Sequence, residues 1–132
     1  MRPQITTFLM FEGKAEQAMN FYVTLFPDSR ILDITRYGPE GPGAQGSVYH
    51  ATFSLNGRTF RCIDSPVKHG FSFTPAVSLF AECGSEAEVE TLFAKLSDGG
   101  QVLMPLDAYP FSSKYAWVND RFGVSWQIGL PA

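Results

Sequence analysis

No run of lysine or arginine occurs in the chain, and with a formal charge of -3 the sequence argues against a nucleic-acid surface. No apolar stretch approaches the length of a signal-peptide core or a membrane span, so a soluble, cytoplasmic protein is expected. The chain has only two cysteines, Cys62 and Cys83, with no CxxC pair; neither a zinc site nor a disulfide framework is expected, and both read as buried thiols. Charged residues are also scarce, at 17% against 45% hydrophobic, which argues against disorder and calls for a packed core. At 132 residues a single domain, 1–132, accounts for the whole chain.

What is present is aromatic and repetitive. Ile5 to Phe11 reads as a strand ended by Gly13, and Lys14 to Phe26 as a helix with Ala15, Ala18, Met19, Tyr22, Leu25 and Phe26 on one stripe. Pro27 and Asp28 stop it. Ile31 to Tyr37 is a second strand, followed by a Gly/Pro loop from Gly38 to Gly46. Ser47 to Leu55 and Arg58 to Asp64 form a hairpin across Asn56-Gly57. After the connector Ser65 to Pro75 the order restarts with strand Val77 to Cys83, helix Glu86 to Leu96 opened by a Ser85/Glu88 capping box, and strand Gln101 to Met104. The stretch Asp120 to Ile128 is a turn followed by an alternating strand and repeats the grammar of Asn56 to Cys62, with Gly57, Phe60 and Arg61 falling where Gly123, Trp126 and Gln127 fall. Adding 71 to the first copy carries Thr7 to Ser78, Gly13 to Gly84 and Leu25 to Leu96. The pattern is an α+β fold of two tandem βαβββ modules, 4–64 and 76–130, joined by a connector, 65–75.

Two such modules, with Phe21 to Phe26 in the first helix, Leu96-Ser97-Asp98-Gly99-Gly100 after the second and Asp120 to Ile128 at the end, resemble the vicinal-oxygen-chelate superfamily of glyoxalases, bleomycin-resistance proteins and extradiol dioxygenases. Within it the chain is most similar to the PhnB-like branch, often labelled demethylubiquinone methyltransferase-like. The resemblance implies curved mixed sheets, helices on their convex side, a concave cleft for a small molecule, and commonly a homodimer.

The hairpin separates two faces independently of that resemblance. A two-residue turn at Asn56-Gly57 pairs Leu55 with Arg58, Phe53 with Phe60 and Thr52 with Arg61. Tyr49, Ala51, Phe53, Leu55, Phe60 and Cys62 then share the face expected under a helix, and His50, Thr52, Ser54, Thr59 and Arg61 share a polar face suited to a ligand. In metal-using members of the superfamily four ligand positions lie on the first and last strands of each module, and by register they fall here on Thr7, Arg61, Ser78 and Gln127. Of these only Gln127 is a usual ligand type, and a guanidinium at Arg61 would repel the ion. The expectation is therefore a cleft without a bound metal and no cofactor, in which Arg61 meets a carboxylate or phosphate of a small-molecule ligand. A snorkelling Arg61 and a nearby Asp64 are the competing readings.

His50 is the candidate general base, although no carboxylate is fixed in sequence to orient it. His69, in the connector, reads as solvated or as part of a rim. Gly41 to Gly46 matches GxGxxG but enters a strand rather than a helix, so it reads as a turn-rich loop. Glu82, Glu86, Glu88 and Glu90 read as a solvated helix face. Pro105 to Ser113 reads as a long aromatic loop, either a lid lending Tyr109 and Phe111 to an apolar ligand or a dimer contact. Trp117 and Trp126 read as core or as ligand platform. The function expected is small-molecule binding. The alternatives are a divalent-metal-dependent lyase, isomerase or dioxygenase, and a methyltransferase, for which no strand, glycine-rich loop and acidic residue follow one another as a methyl-donor site requires.

Overall fold

The computed structural model describes residues 2–132. The chain divides into two compact units, the first ending at His69 and the second running from Gly70 to Ala132. The first contains β1 (Thr7–Phe11), α1 (Ala15–Tyr22), β2 (Arg30–Arg36), β3 (Val48–Leu55) and β4 (Arg58–Asp64), and the second contains β5 (Leu79–Glu82), α2 (Glu86–Ser97), β6 (Gln101–Tyr109), β7 (Ser112–Asn119) and β8 (Ser125–Gly129). Each unit is a four-stranded sheet, ordered β1-β4-β3-β2 or β5-β8-β7-β6, whose first strand lies parallel to its last. One helix packs on one face of each sheet. Among the described residues no helix is long and apolar enough to cross a membrane.

The central hairpin follows its turn. Asn56 and Gly57 both have positive φ, 51° and 83°, the mirror-image turn that Asn-Gly favours, and the ladder pairs Leu55 with Arg58, Phe53 with Phe60 and Thr52 with Arg61. Ala51, Phe53, Leu55, Phe60 and Cys62 are buried beneath α1 with Ala15, Ala18, Met19 and Tyr22. Tyr49 departs from the expected alternation. A register shift between Thr35 and Arg36 opposite it turns Val48 inward and leaves Tyr49 53% exposed, edge-on to Tyr37 at 5.3 Å.

Several element boundaries differ from the sequence reading, among them β5, which runs from Leu79 to Glu82 and not from Val77 to Cys83. The helix α1 ends at Tyr22 and not Phe26, because the Thr24 and Leu25 N–H groups bond three residues back, to the carbonyls of Phe21 and Tyr22, and the Thr24 hydroxyl also donates to the Phe21 carbonyl. The strand β1 begins at Thr7, with Ile5 99% exposed. The segment expected as a loop, Pro105 to Ser113, is instead the end of β6, a tight turn at Pro110 and Phe111, and the start of β7. Pro105 is tolerated because β6 is an edge strand with several register shifts.

Two buried carboxylates tie these elements together. Asp64 Oδ1 accepts hydrogen bonds from the N–H groups of Gly13 at 2.8 Å and Ala15 at 2.9 Å, at the start of α1, and Oδ2 accepts from Val48 N–H at 3.0 Å, at the start of β3. Its backbone carbonyl accepts from the Tyr37 hydroxyl at 3.0 Å. The Tyr37 ring fills the space beside Gly43, where an added Cβ would lie 2.5 Å from a ring carbon, so a loop glycine that matched a phosphate motif serves instead to admit a buried ring. In the second unit Asp120 Oδ1 accepts from Phe122 and Val124 N–H, at 2.8 Å and 3.1 Å, and Oδ2 accepts from Trp126 Nε1 at 2.9 Å.

Replacing Asp64 tests this arrangement. Asp64→Asn keeps one acceptor but aims an amide N–H at a buried backbone donor, and a cost on the order of 3 kcal/mol is expected. Urea unfolding measures it; a loss below about 0.5 kcal/mol, the scale of an ordinary surface substitution, would remove Asp64 from this role.

Candidate functional site

The face of each sheet away from its helix carries the polar residues. In the first unit Phe8 lies opposite Arg61 on β4, Arg61 opposite Thr52 on β3, and Thr52 opposite Asp33 on β2. These make one row from edge to edge, with His50 beside it, paired to Thr35. Phe8 is 52% exposed, and its ring centroid is 6.3 Å from that of His50. In the second unit the corresponding row is Phe80, Gln127, Trp117 and Met104. Tyr115 stands where His50 stands, its ring centroid again 6.3 Å from the neighbouring phenylalanine, Phe80. Phe80 is 55% exposed.

This pairing corrects the position of Thr7. Thr7 lies opposite Phe60, on the helix side with Leu9 and Phe11, and its hydroxyl accepts a hydrogen bond from Arg58 Nη2 at 3.0 Å. Arg58 also lies over the Phe60 ring, 5.0 Å from its centroid. Phe8 and Phe80 are the structurally matched residues, so the strands are related by an offset of 80 − 8 = 72, while the helix starts, Ala15 and Glu86, are related by 86 − 15 = 71. The single offset of 71 read from the sequence is thus broken by one residue between strand and helix. A slip of one residue in a strand transfers every side chain to the other face.

Ser78, by contrast, does share a face with Gln127. Gln127 Nε2 donates to Ser78 Oγ at 2.7 Å, and the Tyr115 hydroxyl donates to Gln127 Oε1 at 2.6 Å. Burial, and then the neighbouring Tyr109, push the Tyr115 phenol above its ordinary pKa, which keeps it a neutral donor at physiological pH. Tyr109 and Phe111 stack on one another at 5.7 Å, and both stand edge-on to Tyr115, at 5.5 Å and 4.8 Å. They occupy the tip of the β6–β7 hairpin, and the Tyr109 hydroxyl donates to the Pro105 carbonyl at 2.6 Å. Trp117 lies on this polar face with its Nε1 donating to Ser125 Oγ at 2.8 Å, whereas Trp126 is core.

The remaining candidates have other partners. His69 Nε2 is 2.8 Å from Ser65 Oγ within the connector. Glu86 and Glu90 flank Lys114 Nζ, at 3.4 Å and 2.8 Å; Glu88 N–H donates to Ser85 Oγ at 3.2 Å as the capping box requires, while Glu88 Oε1 accepts from the N–H of Gly84, one residue before the cap, at 2.7 Å. Asp64 is committed to backbone N–H groups, and Cys62 is buried on the helix side. Among the described residues no three or more His, Cys, Asp or Glu side chains are grouped so that they could hold a metal ion. The matched positions carry instead a phenylalanine beside an arginine in one unit and beside a glutamine in the other. That donor set does not fit a divalent cation, which needs several imidazole, carboxylate or thiolate ligands.

Phe8, Phe80 and Tyr115 are the site residues that the sequence reading missed. The signal was the alternation within β1, where Leu9 and Phe11 turn inward and Phe8 must turn outward beside Arg61.

Residues 3–129 match the family described as 3-demethylubiquinone-9 3-methyltransferase. The PhnB protein from Bacillus cereus is 59% identical, with a TM-score of 0.95 over 97% of this chain and 99% of that one. Protein PA1353 from Pseudomonas aeruginosa is 25% identical, with a TM-score of 0.86 over 98% of each chain. A glyoxylase/bleomycin resistance protein/dioxygenase domain from Frankia sp. EAN1pec is 15% identical, with a TM-score of 0.64 over 100% of this chain and 93% of that one, and shares the fold.

The buried thiols give a test of the face assignment. Burial, with a smaller contribution from Asp64, pushes Cys62 up to about 12, and burial, with Glu88, pushes Cys83 up to about 11. Both raised values favour the protonated folded form, so stability contributed here is present below the ordinary thiol value near 9 and is lost as pH rises above it. At pH 8 a thiol-specific disulfide reagent is expected to label neither cysteine until the protein unfolds. Rapid labelling of Cys62 in the folded state would place it on the open face.

Proposed function

The chain belongs to the family described as 3-demethylubiquinone-9 3-methyltransferase, which has the glyoxalase/bleomycin-resistance/dioxygenase fold, and from that premise we propose that it binds a small organic molecule through hydrogen bonds and aromatic contact, without a bound metal ion. The observation that carries the reading is the chain Tyr115–Gln127–Ser78, bordered by Phe80, Tyr109 and Phe111. A few oriented polar groups set among aromatic side chains are the usual make-up of a small-molecule site. The Gln127 amide is polarised in one direction. Because the Tyr115 hydroxyl donates to Oε1 and Nε2 donates onward, the Ser78 hydroxyl proton is left to donate to a ligand acceptor.

Methyl transfer, which the family description names, has less support in these residues. The glycine-rich segment between β2 and β3 leads from strand to strand and packs Gly43 on Tyr37, so no helix N-terminus meets a donor there. Catalysis by His50 has no orienting partner: among the described residues no carboxylate or hydroxyl is hydrogen-bonded to its ring, which packs near Phe8. The homodimer implied by the family is part of the same proposal and is read by sedimentation.

A thermal-shift screen of neutral and charged aromatic compounds, followed by calorimetry on the hits, tests the reading. Gln127→Leu and Tyr115→Phe are each expected to weaken a bound compound about tenfold, or about 1.4 kcal/mol. Unchanged affinity in both variants would remove this face from the binding function, and heat on titration with S-adenosylmethionine would restore the methyltransferase reading.

A further inference from the structure

The two open faces are copies of one arrangement that differ in charge, and this points to the class of ligand. Each presents a phenylalanine from the edge strand, a second ring 6.3 Å away, and a long polar side chain directly opposite the phenylalanine. In the second unit the members are Phe80, Tyr115 and Gln127, and the row across the sheet is uncharged. In the first they are Phe8, His50 and Arg61. Arg36, Arg58 and Arg121 each have a partner: Arg36 binds Glu16 through both terminal nitrogens, Arg58 binds Thr7, and Arg121 reaches Asp98. Among the described residues the side chains of Arg2, Arg30 and Arg61 make no ion pair or hydrogen bond, and of these three Arg61 is the one that lies opposite an exposed phenylalanine, Phe8, with Thr52 on its other side.

Resting on the reading of these faces as binding surfaces, we propose that the first unit takes an aromatic oxyanion, a planar ring bearing one carboxylate or phosphonate group, with the ring on Phe8 and the oxyanion on Arg61. The guanidinium offers a planar fork matched to two oxygens, and Thr52 supplies a neutral donor on the same side. His50, flanking Phe8, gives a second ring surface and an imidazole donor. Asp33 ends the row on β2, two strand spacings or about 10 Å from Arg61, and opposes a second negative group at that end. The ligand therefore carries its charge at the Phe8 side of the row. An arginine that merely extends its stem over apolar surface predicts no preference for anions.

The test is calorimetric titration of the full chain with benzoate, with phenylphosphonate and with neutral benzamide, at low and moderate salt. At least one of the two anions is expected to bind at least tenfold more tightly than benzamide, with an affinity that falls as salt rises. Arg61→Met is expected to lose that tenfold preference, Arg61→Lys to keep part of it, and Phe8→Leu to weaken all three compounds. Because Arg61 and Phe8 are exposed, the variants should unfold at the wild-type urea midpoint, which confirms that any loss is local. The proposal is overturned if neither anion binds saturably, if benzamide binds as tightly as both, or if Arg61→Met leaves anion binding unchanged. Benzamide bound without anion preference, and lost in Gln127→Leu, would sink this proposal and leave the general binding function standing.

Discussion

The first unit depends on one carboxylate at the end of its last strand. Asp64 receives the N–H groups at the start of α1 and at the start of β3, segments that are 49 and 16 residues from it in the chain. A helix N-terminus has unsatisfied donors and a partial positive charge, so an ionised acceptor there offsets both. The consequence for the open face is indirect. With α1 fixed to that end of the sheet, Phe53, Phe60 and Cys62 have one buried side available, and by alternation Thr52 and Arg61 must occupy the other. Asp120 plays the corresponding part in the second unit, by holding the turn before β8 and the Trp126 indole, and so fixes which way Gln127 points.

The hairpin register and the burial of one face were legible from the sequence because Asn56-Gly57 dictates a turn with two positive φ values, and the turn dictates the pairs. Duplication was legible from the spacing of glycines and apolar stripes, but its register was not. Gly13 and Gly84 align at 71, whereas Phe8 and Phe80 align at 72, and only strand pairing reveals the difference. That single residue accounts for the misplacement of Thr7. Asp64 was illegible for another reason: a carboxylate beside a candidate ligand looks like a ligand, and its real partners are backbone groups distant in sequence. Pro105 looked like the start of a loop, yet an edge strand with register shifts has no need of every N–H.

Duplication also explains how one strand arrangement carries two different sets of side chains. The rows Phe8–Arg61–Thr52 and Phe80–Gln127–Trp117 occupy the same lattice of strand pairs, so exchange of one long side chain adds or removes a positive charge beside the phenylalanine and leaves the strand pairing alone. Among the described residues neither version groups three or more His, Cys, Asp or Glu side chains as a divalent-ion site would. The side chains available instead form hydrogen bonds, stack, and in one copy carry a positive charge.

The central claim is that these faces recognise a ligand with side chains alone. It is tested most directly by elemental analysis of protein purified without chelator and without a metal-affinity tag, before and after incubation with nickel, zinc, manganese or iron and removal of unbound ion. The account predicts far less than one divalent ion per chain in every sample, with no matching gain in thermal stability. Retention of about one ion per chain, with a stability gain that Gln127→Leu abolishes, would contradict it.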